Sequence, residues 1–268
     1  MPKLTGATSI LLDLFQIHPS SPDLKLLGEV SYHFASLPWE NLTKFLKKHG
    51  SHESPAARLR RSEEAMRDHA ELGTGGTCFS LTNALRRIVC DLGYHAYPVM
   101  ADMRHGANIH CALLVHHQDR RFLLDPGYLV AEPVPLRQDR AVRVQLPGRV
   151  LDYRPAAGGE IELHTINEKG EDQFRYRLRP SPILEKEFVR FWLQSFDATG
   201  MNSLYLNMIS SEGRLSAHNL NLRIDTGRDK VNLKLRGRYV EEISERFGIG
   251  SDLVRQAFDE WERTRCRK

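Results

Sequence analysis

The 268-residue chain has only four cysteines, and none of them stands in a CxxC pair. They are Cys78, Cys90, Cys111 and Cys266. A secreted disulfide framework is denser in cysteine than this, and a structural zinc site uses more closely spaced cysteines and histidines. We therefore expect four free thiols.

Long apolar runs and a strong charge of either sign are also absent. No stretch approaches the roughly 18 consecutive apolar residues of a transmembrane helix, and residues 1–6 lack the charged region and apolar run of a secretion signal. The chain has 38 basic and 34 acidic residues, a formal net charge of +4. This excess is too weak to predict nucleic-acid binding, although it favours a phosphate-bearing ligand. We expect a soluble, cytoplasmic protein without a membrane or nucleic-acid partner.

No phosphate-binding glycine loop of a known pattern occurs in the sequence. A glycine-rich turn at residues 73–76 instead leads through Thr77 into Cys78. Between Leu81 and Val89 apolar residues recur three and four positions apart, which predicts a helix with Cys78 in its first turn. The positive end of the helix dipole favours a thiolate there, and the thiolate is the nucleophilic form of cysteine.

Two later residues complete a candidate nucleophilic site. His110 precedes an apolar run at residues 112–115 and Asp125 follows another at 122–124, so both are predicted on neighbouring strands of one hairpin. An imidazole takes the proton of a thiol, and a carboxylate on the other ring nitrogen orients the imidazole. We predict Cys78 as nucleophile, His110 as base and Asp125 as orienting acid, although an Asp before Pro126 is also common at the start of a turn.

The segments around these three residues resemble the arylamine N-acetyltransferase family. The turn ending at Cys78 is similar to the family's Arg-Gly-Gly-x-Cys, and Asp125-Pro126-Gly127-Tyr128 is similar to its Asp-Val-Gly-Phe. Further segments with family resemblance are residues 33–42, 133–136, 187–196 and 243–249. The resemblance implies an acyltransferase that moves an acetyl or other acyl group from acetyl-CoA or another acyl-CoA to an arylamine, hydrazine or related amine. It further implies a ping-pong mechanism through a cysteine thioester and no metal cofactor.

The order of helical and strand-like patterns, together with this resemblance, predicts an α+β fold with a cysteine-protease-like core. We expect a helical bundle with the nucleophilic cysteine at residues 1–93. A β-barrel or sheet with the histidine and aspartate is expected at 94–180, and an α/β lid at 181–268.

Four further residues are predicted to line the substrate site: Trp39, Phe79, Gly127 and Tyr128. For Trp39 and Tyr128 the sequence leaves open whether the ring belongs to the core or to a pocket. Gly127 would let the backbone approach a ligand closely, although glycine is also common after proline in a tight turn.

The sequence departs from the family pattern at two positions near the cysteine. Thr74 stands where the family has arginine, and Ser80 stands where it usually has glutamate or glutamine. The family arginine pairs with the glutamate of a Pro-Phe-Glu-Asn segment, which corresponds here to Glu40. We therefore expect Glu40 to lack its usual cation.

Three alternatives remain open at the level of sequence. The same trio also serves transglutaminase-like and amide-synthase enzymes, which use other acyl donors. A catalytically degenerate binding module is the second alternative. A zinc site near His105, His110, Cys111, His116 and His117 is the third, and the spacing disfavours it because His110 and Cys111 point to opposite strand faces. The acceptor amine, the acyl chain length and the oligomeric state also stay open.

Overall fold

The structure is a computed structural model that describes residue 4, residues 6–19 and residues 21–266. The expectation for the N-terminal segment at residues 1–6 therefore falls mostly outside the described residues. Across the described ranges, no helix is long and apolar enough to cross a membrane.

Five helices and one short strand form the N-terminal part. They are α1 Gly6–Phe15, α2 Leu24–Phe34, β1 Trp39–Glu40, α3 Leu42–His49, α4 Ser62–Leu72 and α5 Cys78–Asp91. Asp23 caps α2 by accepting a hydrogen bond from the Leu26 N–H at 2.7 Å. The apolar faces of α1, α2, α4 and α5 share one core with residues of the neighbouring sheet, so α5 is held against strands as well as helices.

An eight-stranded antiparallel sheet follows. Its strands are β2 His95–Met103, β3 Gly106–His117, β4 Arg120–Leu124, β5 Val134–Pro135, β6 Val142–Leu146, β7 Arg149–Pro155, β8 Ile161–Asn167 and β9 Asp172–Arg179. The strand order is β5-β4-β3-β2-β9-β8-β7-β6, and the two ends approach each other, so the sheet is a nearly closed barrel. Its interior is filled by inward-facing apolar side chains such as Leu114, Leu151 and Tyr176.

The C-terminal part combines three helices with a second sheet. Its elements are α6 Glu185–Gln194, β10 Tyr205–Ser210, β11 Gly213–His218, β12 Asn221–Asp225, β13 Lys230–Lys234, α7 Tyr239–Phe247 and α8 Ser251–Cys266. The sheet order is β1-β10-β11-β12-β13, so the N-terminal strand β1 extends it through pairing with β10. Leu42 and Phe45 of α3 also pack in the core beneath this sheet.

These elements confirm the predicted α+β fold with its barrel-like sheet. The division at residues 93 and 180 stays a prediction. Because β1 pairs with β10 and α3 packs in the same core, residues of the N-terminal part belong to the C-terminal layer.

Candidate active site

Cys78 is the first residue of α5, as predicted, and its side chain is almost fully buried. Its sulfur faces the β3 backbone, 4.0 Å from the Ile109 carbonyl oxygen. Pairing between β3 and β4 stops at Leu113, so β3 has no strand neighbour on the β4 side at residues 109–111. Helix α5 packs at this position, where Thr82 Oγ1 donates to the Cys111 carbonyl at 3.4 Å.

The pKa of the Cys78 thiol is held well below its usual range by three neighbours. The neighbouring Cys111 thiol makes the largest contribution, since its proton favours the Cys78 thiolate. His110 adds a hydrogen bond and a positive charge, and the Lys44 ammonium adds a more distant charge, while burial of the thiol acts in the opposite direction. The arrangement therefore favours a thiolate at neutral pH.

His110 lies in β3 with its ring between the thiol and a carboxylate. Its Nε2 is 3.3 Å from Asp125 Oδ2 and 3.2 Å from Oδ1, which leaves Nδ1 for the sulfur. Burial lowers the pKa of His110, but the Asp125 carboxylate and the Cys78 thiolate outweigh burial and raise it to about 10. Cys78 and His110 can thus exist as a thiolate–imidazolium pair.

Asp125 is fully buried and lies one residue beyond β4. The prediction placed it on the strand itself, but the chain leaves the sheet at this point and enters a 3₁₀ turn at Pro126–Tyr128. The Tyr176 hydroxyl donates to Asp125 Oδ2 at 2.6 Å, and the Tyr176 ring stacks on His110 at 4.7 Å between centroids. Tyr176 was not predicted as a site residue, because its alternation with Arg175 and Arg177 predicts only a strand.

Gly127 packs between the members of the trio. A Cβ atom at this position would lie 2.7 Å from His110 Cε1, closer than real Cβ atoms approach, and 3.1 Å from Cys78 Cβ, which is a tight contact. Packing against His110 and Cys78 thus gives one reason for a glycine at this position. The approach of its backbone to a ligand stays a prediction.

The three predicted aromatic site residues occupy different environments. The half-buried ring of Tyr128 meets His110 edge-on, with centroids 5.4 Å apart. The backbone of Trp39 bridges to Gly76, two residues before Cys78, and its ring packs against the N-terminal core. The ring of Phe79 is fully buried beside Phe188. Phe79 thus has a packing role, and its contact with a substrate stays a prediction.

Glu40 has a cation, contrary to the expectation from Thr74. Arg60 supplies it from the segment before α4, with Nη1 at 3.6 Å from Glu40 Oε1. The same guanidinium donates to the Gly75 carbonyl at 2.8 Å and to Thr74 Oγ1 at 3.0 Å. Arg60 is therefore bound directly to the turn that precedes Cys78. No spacing rule predicts this contact, because Arg60 lies 14 residues before Thr74 in the chain.

Lys44 is a second buried cation near the trio that the sequence did not indicate. Its ammonium donates to Ser195 Oγ at 2.6 Å and lies 4.8 Å from the centre of the Phe196 ring. Burial lowers the pKa of Lys44 to about 8, against the opposing charge of the Cys78 thiolate. In the described part of the chain, no group of three His, Cys, Asp or Glu side chains is placed to hold a metal ion.

A family model described as N-acetyltransferase matches residues 23–254 of the chain. In the comparison with curated proteins, no protein matches the chain. The fold is similar to the solved arylamine N-acetyltransferase from Mycobacterium abscessus, with 16% identity, a TM-score of 0.77 and coverage of 95% of this chain and 94% of that chain.

Two further solved structures bear on the site. The Mycobacterium marinum arylamine N-acetyltransferase in complex with CoA is 16% identical, with a TM-score of 0.76 and coverage of 94% of this chain and 98% of that chain. An arylamine N-acetyltransferase from Bacillus cereus, whose structure is described as revealing a unique Cys-His-Glu catalytic triad, is 16% identical. Its TM-score is 0.73, with coverage of 92% of this chain and 100% of that chain.

Proposed function

Because the chain belongs to the arylamine N-acetyltransferase family, whose members are enzymes, we propose that it transfers an acyl group from a coenzyme A thioester to an amine through Cys78. The observation that carries this proposal is the position of the buried Cys78 beside an imidazole that is itself held by Asp125. Acetyl is the expected acyl group, and an arylamine or hydrazine is the expected acceptor.

In the first step the Cys78 thiolate attacks the thioester carbonyl of the donor. The carbonyl oxygen becomes an oxyanion. The N–H groups of the first turn of α5 are its expected donors, because first-turn N–H groups lack intrahelical acceptors. Collapse breaks the bond to the coenzyme A sulfur, which leaves as a thiolate and takes the proton from His110. One thioester replaces another, so this step is close to isoenergetic.

In the second step the amine nitrogen attacks the acyl-cysteine. His110, neutral after the first step, accepts the proton that the amine loses as the amide forms. The Cys78 thiolate is expelled and pairs again with the new imidazolium. Asp125 keeps Nε2 protonated throughout, so the ring presents Nδ1 to the reacting atoms.

The initial-rate pattern tests this two-step scheme. With acetyl-CoA and aniline both varied, double-reciprocal plots should be parallel, because coenzyme A leaves before the amine reacts. Intersecting lines would indicate direct transfer within a ternary complex and contradict an acyl-enzyme.

A glutamine-containing peptide tests the alternative acyl donor. Transglutaminase-like chemistry would label Cys78 with the peptide and not with acetyl-CoA. A binding module would give neither product, and its Cys78 would react with iodoacetamide no faster than a free thiol.

A further inference from the structure

The candidate active site contains a second buried thiol, and the acyl-transfer scheme uses only one of the two. Cys78 and Cys111 are both free and buried. They belong to one apolar cluster, which also contains Phe188 and Trp192 of α6. The sulfur of Cys111 therefore lies beside the nucleophile without a chemical step assigned to it.

The position of α5 explains how Cys78 meets both faces of β3. Consecutive residues of a strand point to opposite faces. The His110 ring stacks on Tyr176 inside the barrel, and the Cys111 side chain lies in the cluster with α6. Cys78, the first residue of α5, lies at the edge where β3 has no β4 neighbour. From this edge it is beside His110 on one face and Cys111 on the other.

Two contacts with the β3 backbone hold the first turn of α5 in this place. The Cys78 sulfur lies 4.0 Å from the Ile109 carbonyl oxygen. Thr82 is one turn further along the same helix face, and its Oγ1 donates to the Cys111 carbonyl at 3.4 Å. The turn thus lies along residues 109–111, which keeps Cys78 against Cys111.

The two thiols differ in protonation and in exposure. The pKa of Cys78 is held well below its usual range, whereas burial and then the neighbouring thiolate raise the pKa of Cys111 well above it. Cys78 is 8% exposed and Cys111 is 0% exposed. A small oxidant entering the site meets the thiolate first, and the thiolate is the form of cysteine that oxidants attack.

We propose that Cys78 and Cys111 form an oxidation site for hydroperoxides, in which Cys111 is the resolving cysteine of Cys78. The inference goes beyond the proposed function and does not depend on acyl transfer. Its product is a disulfide that blocks the nucleophile until a thiol reductant removes it.

The chemistry takes two steps. The Cys78 thiolate attacks one oxygen of the hydroperoxide, the S–O bond forms as the O–O bond breaks, and the sulfur loses two electrons. The other oxygen leaves with a proton from the His110 imidazolium, as water when the oxidant is hydrogen peroxide. The Cys111 sulfur then attacks the sulfur of the Cys78 sulfenic acid. The S–S bond forms, the S–O bond breaks, and the hydroxyl leaves as water with the Cys111 proton.

The resolving step decides whether oxidation can be reversed. A thiol reductant opens the disulfide by exchange and returns both cysteines to thiols. Without Cys111 the sulfenic acid persists, and a second hydroperoxide converts it to sulfinic acid, which thiols do not reduce. Cys111 thus protects Cys78 from irreversible loss.

The test follows Cys78 by peptide mapping after treatment with hydrogen peroxide. In wild type we expect a disulfide between the peptides of Cys78 and Cys111, and dithiothreitol should restore the iodoacetamide-reactive thiol of Cys78. Cys111→Ser keeps a hydrogen-bond donor but cannot form the disulfide. At equal loss of Cys78 thiol, its recoverable fraction should be about fivefold lower or less, and dimedone should trap the sulfenic acid.

Cys111→Ala and Cys90→Ala complete the set of variants. Cys111→Ala removes the sulfur without placing a hydroxyl in the apolar cluster, so it should behave as Cys111→Ser does. Melting curves of both variants show whether the fold is kept. Cys90→Ala, which removes an exposed thiol outside the site, is the matched control and should form the disulfide and recover as wild type does.

Two results would overturn the inference. One is a wild type in which Cys78 is oxidised to sulfinic acid while Cys111 remains a free thiol. The other is an equal recovery of Cys78 in wild type and in folded Cys111 variants, which would show that Cys111 does not resolve the sulfenic acid.

The outcome is separable from that of the proposed function, because peptide mapping needs no acyl transfer. If hydrogen peroxide forms the disulfide but acetyl-CoA never acetylates Cys78, the proposed reaction fails and the oxidation site stands. If acetylation occurs and the disulfide never forms, the oxidation site alone is refuted.

Discussion

At the scale of residues, reactivity depends on where one proton resides between Cys78 and His110. The pKa of Cys78 is lowered and that of His110 is raised to about 10, so the thiolate–imidazolium pair spans neutral pH. The pair is lost at low pH when the thiolate is protonated. At the other end the imidazolium deprotonates as pH rises through about 10.

The first prediction concerns the pH dependence of Cys78 alkylation. The iodoacetamide rate at Cys78 should already be high at pH 7 and should stay nearly flat across the pKa near 8.5 of an ordinary thiol. Cys90, which is exposed, provides an internal comparison in the same protein. Mass spectrometry of the peptides that contain Cys78 and Cys90, over a pH series, measures the two alkylation rates. A sigmoidal rise of the Cys78 rate centred near pH 8.5 would contradict the prediction.

The second prediction concerns the thiol of Cys111, a hydrogen-bond donor whose proximity lowers the pKa of Cys78. Cys111→Ala removes this donor, so it should raise the pKa of Cys78 and slow alkylation at pH 6 by roughly fivefold. Cys111→Ser keeps a donor and should restore most of the rate. An alanine variant with the wild-type pH profile would show that the thiol of Cys111 has no influence on Cys78.

The third prediction concerns Gly127. Gly127→Ala places a Cβ against His110 and Cys78 and should lower acyl transfer by about a hundredfold, since small displacements of reacting groups are costly. Gly200→Ala is the control, because a Cβ there meets nothing within 4 Å. Rates and melting curves of both variants measure the effect. Full activity of Gly127→Ala would mean that the trio tolerates a wider separation.

At the scale of elements, the turn before α5 is held by a residue from another segment. Arg60 contacts Glu40, Thr74 and the carbonyl of Gly75, so it joins β1 to the cysteine turn. The cysteine turn also packs directly against the residue before β1. Gly75 is needed for this contact, because a Cβ at residue 75 would lie 1.7 Å from the Pro38 carbonyl oxygen. The position of Cys78 thus depends on packing outside its own helix.

The fourth prediction is that Arg60→Met lowers the free energy of unfolding by about 3 kcal/mol, because it leaves Glu40 buried without its cation. Activity should fall further than stability explains, since the cysteine turn loses a direct contact. Arg61→Met, at a neighbouring exposed position, is the control. Chemical denaturation measures the free energy of unfolding of both variants. Similar unfolding midpoints for the two variants would refute the role given to Arg60.

Local patterns predict α5 and the barrel strands well, because burial on one face leaves a periodic trace in the sequence. The strand-like runs next to His110 and Asp125 predicted that the two residues are neighbours at the end of a hairpin. The structure confirms that they are in contact. Strand β11 leaves only a weak pattern in the sequence, because only Leu215 and Ala217 face its core, between small or polar residues. The roles of Arg60 and Tyr176 depend on contacts across 14 and 51 residues, which no local pattern contains.

At the scale of the whole molecule, three layers meet at the sulfur of Cys78. The helical layer supplies Cys78, the barrel and the turn after β4 supply His110 and Asp125, and α6 covers the buried side through Phe188. The family resemblance drawn from the sequence is confirmed by the match over residues 23–254.

The central claim is that Cys78 carries the acyl group between donor and acceptor. Intact-protein mass spectrometry after incubation with acetyl-CoA and no amine tests it most directly. We expect a gain of one acetyl group in wild type and in Cys90→Ala, no gain in Cys78→Ala, and loss of the group when aniline is added. An acetylated Cys78→Ala protein, or a wild type that turns over acetyl-CoA with amine while never carrying the group, would contradict the account.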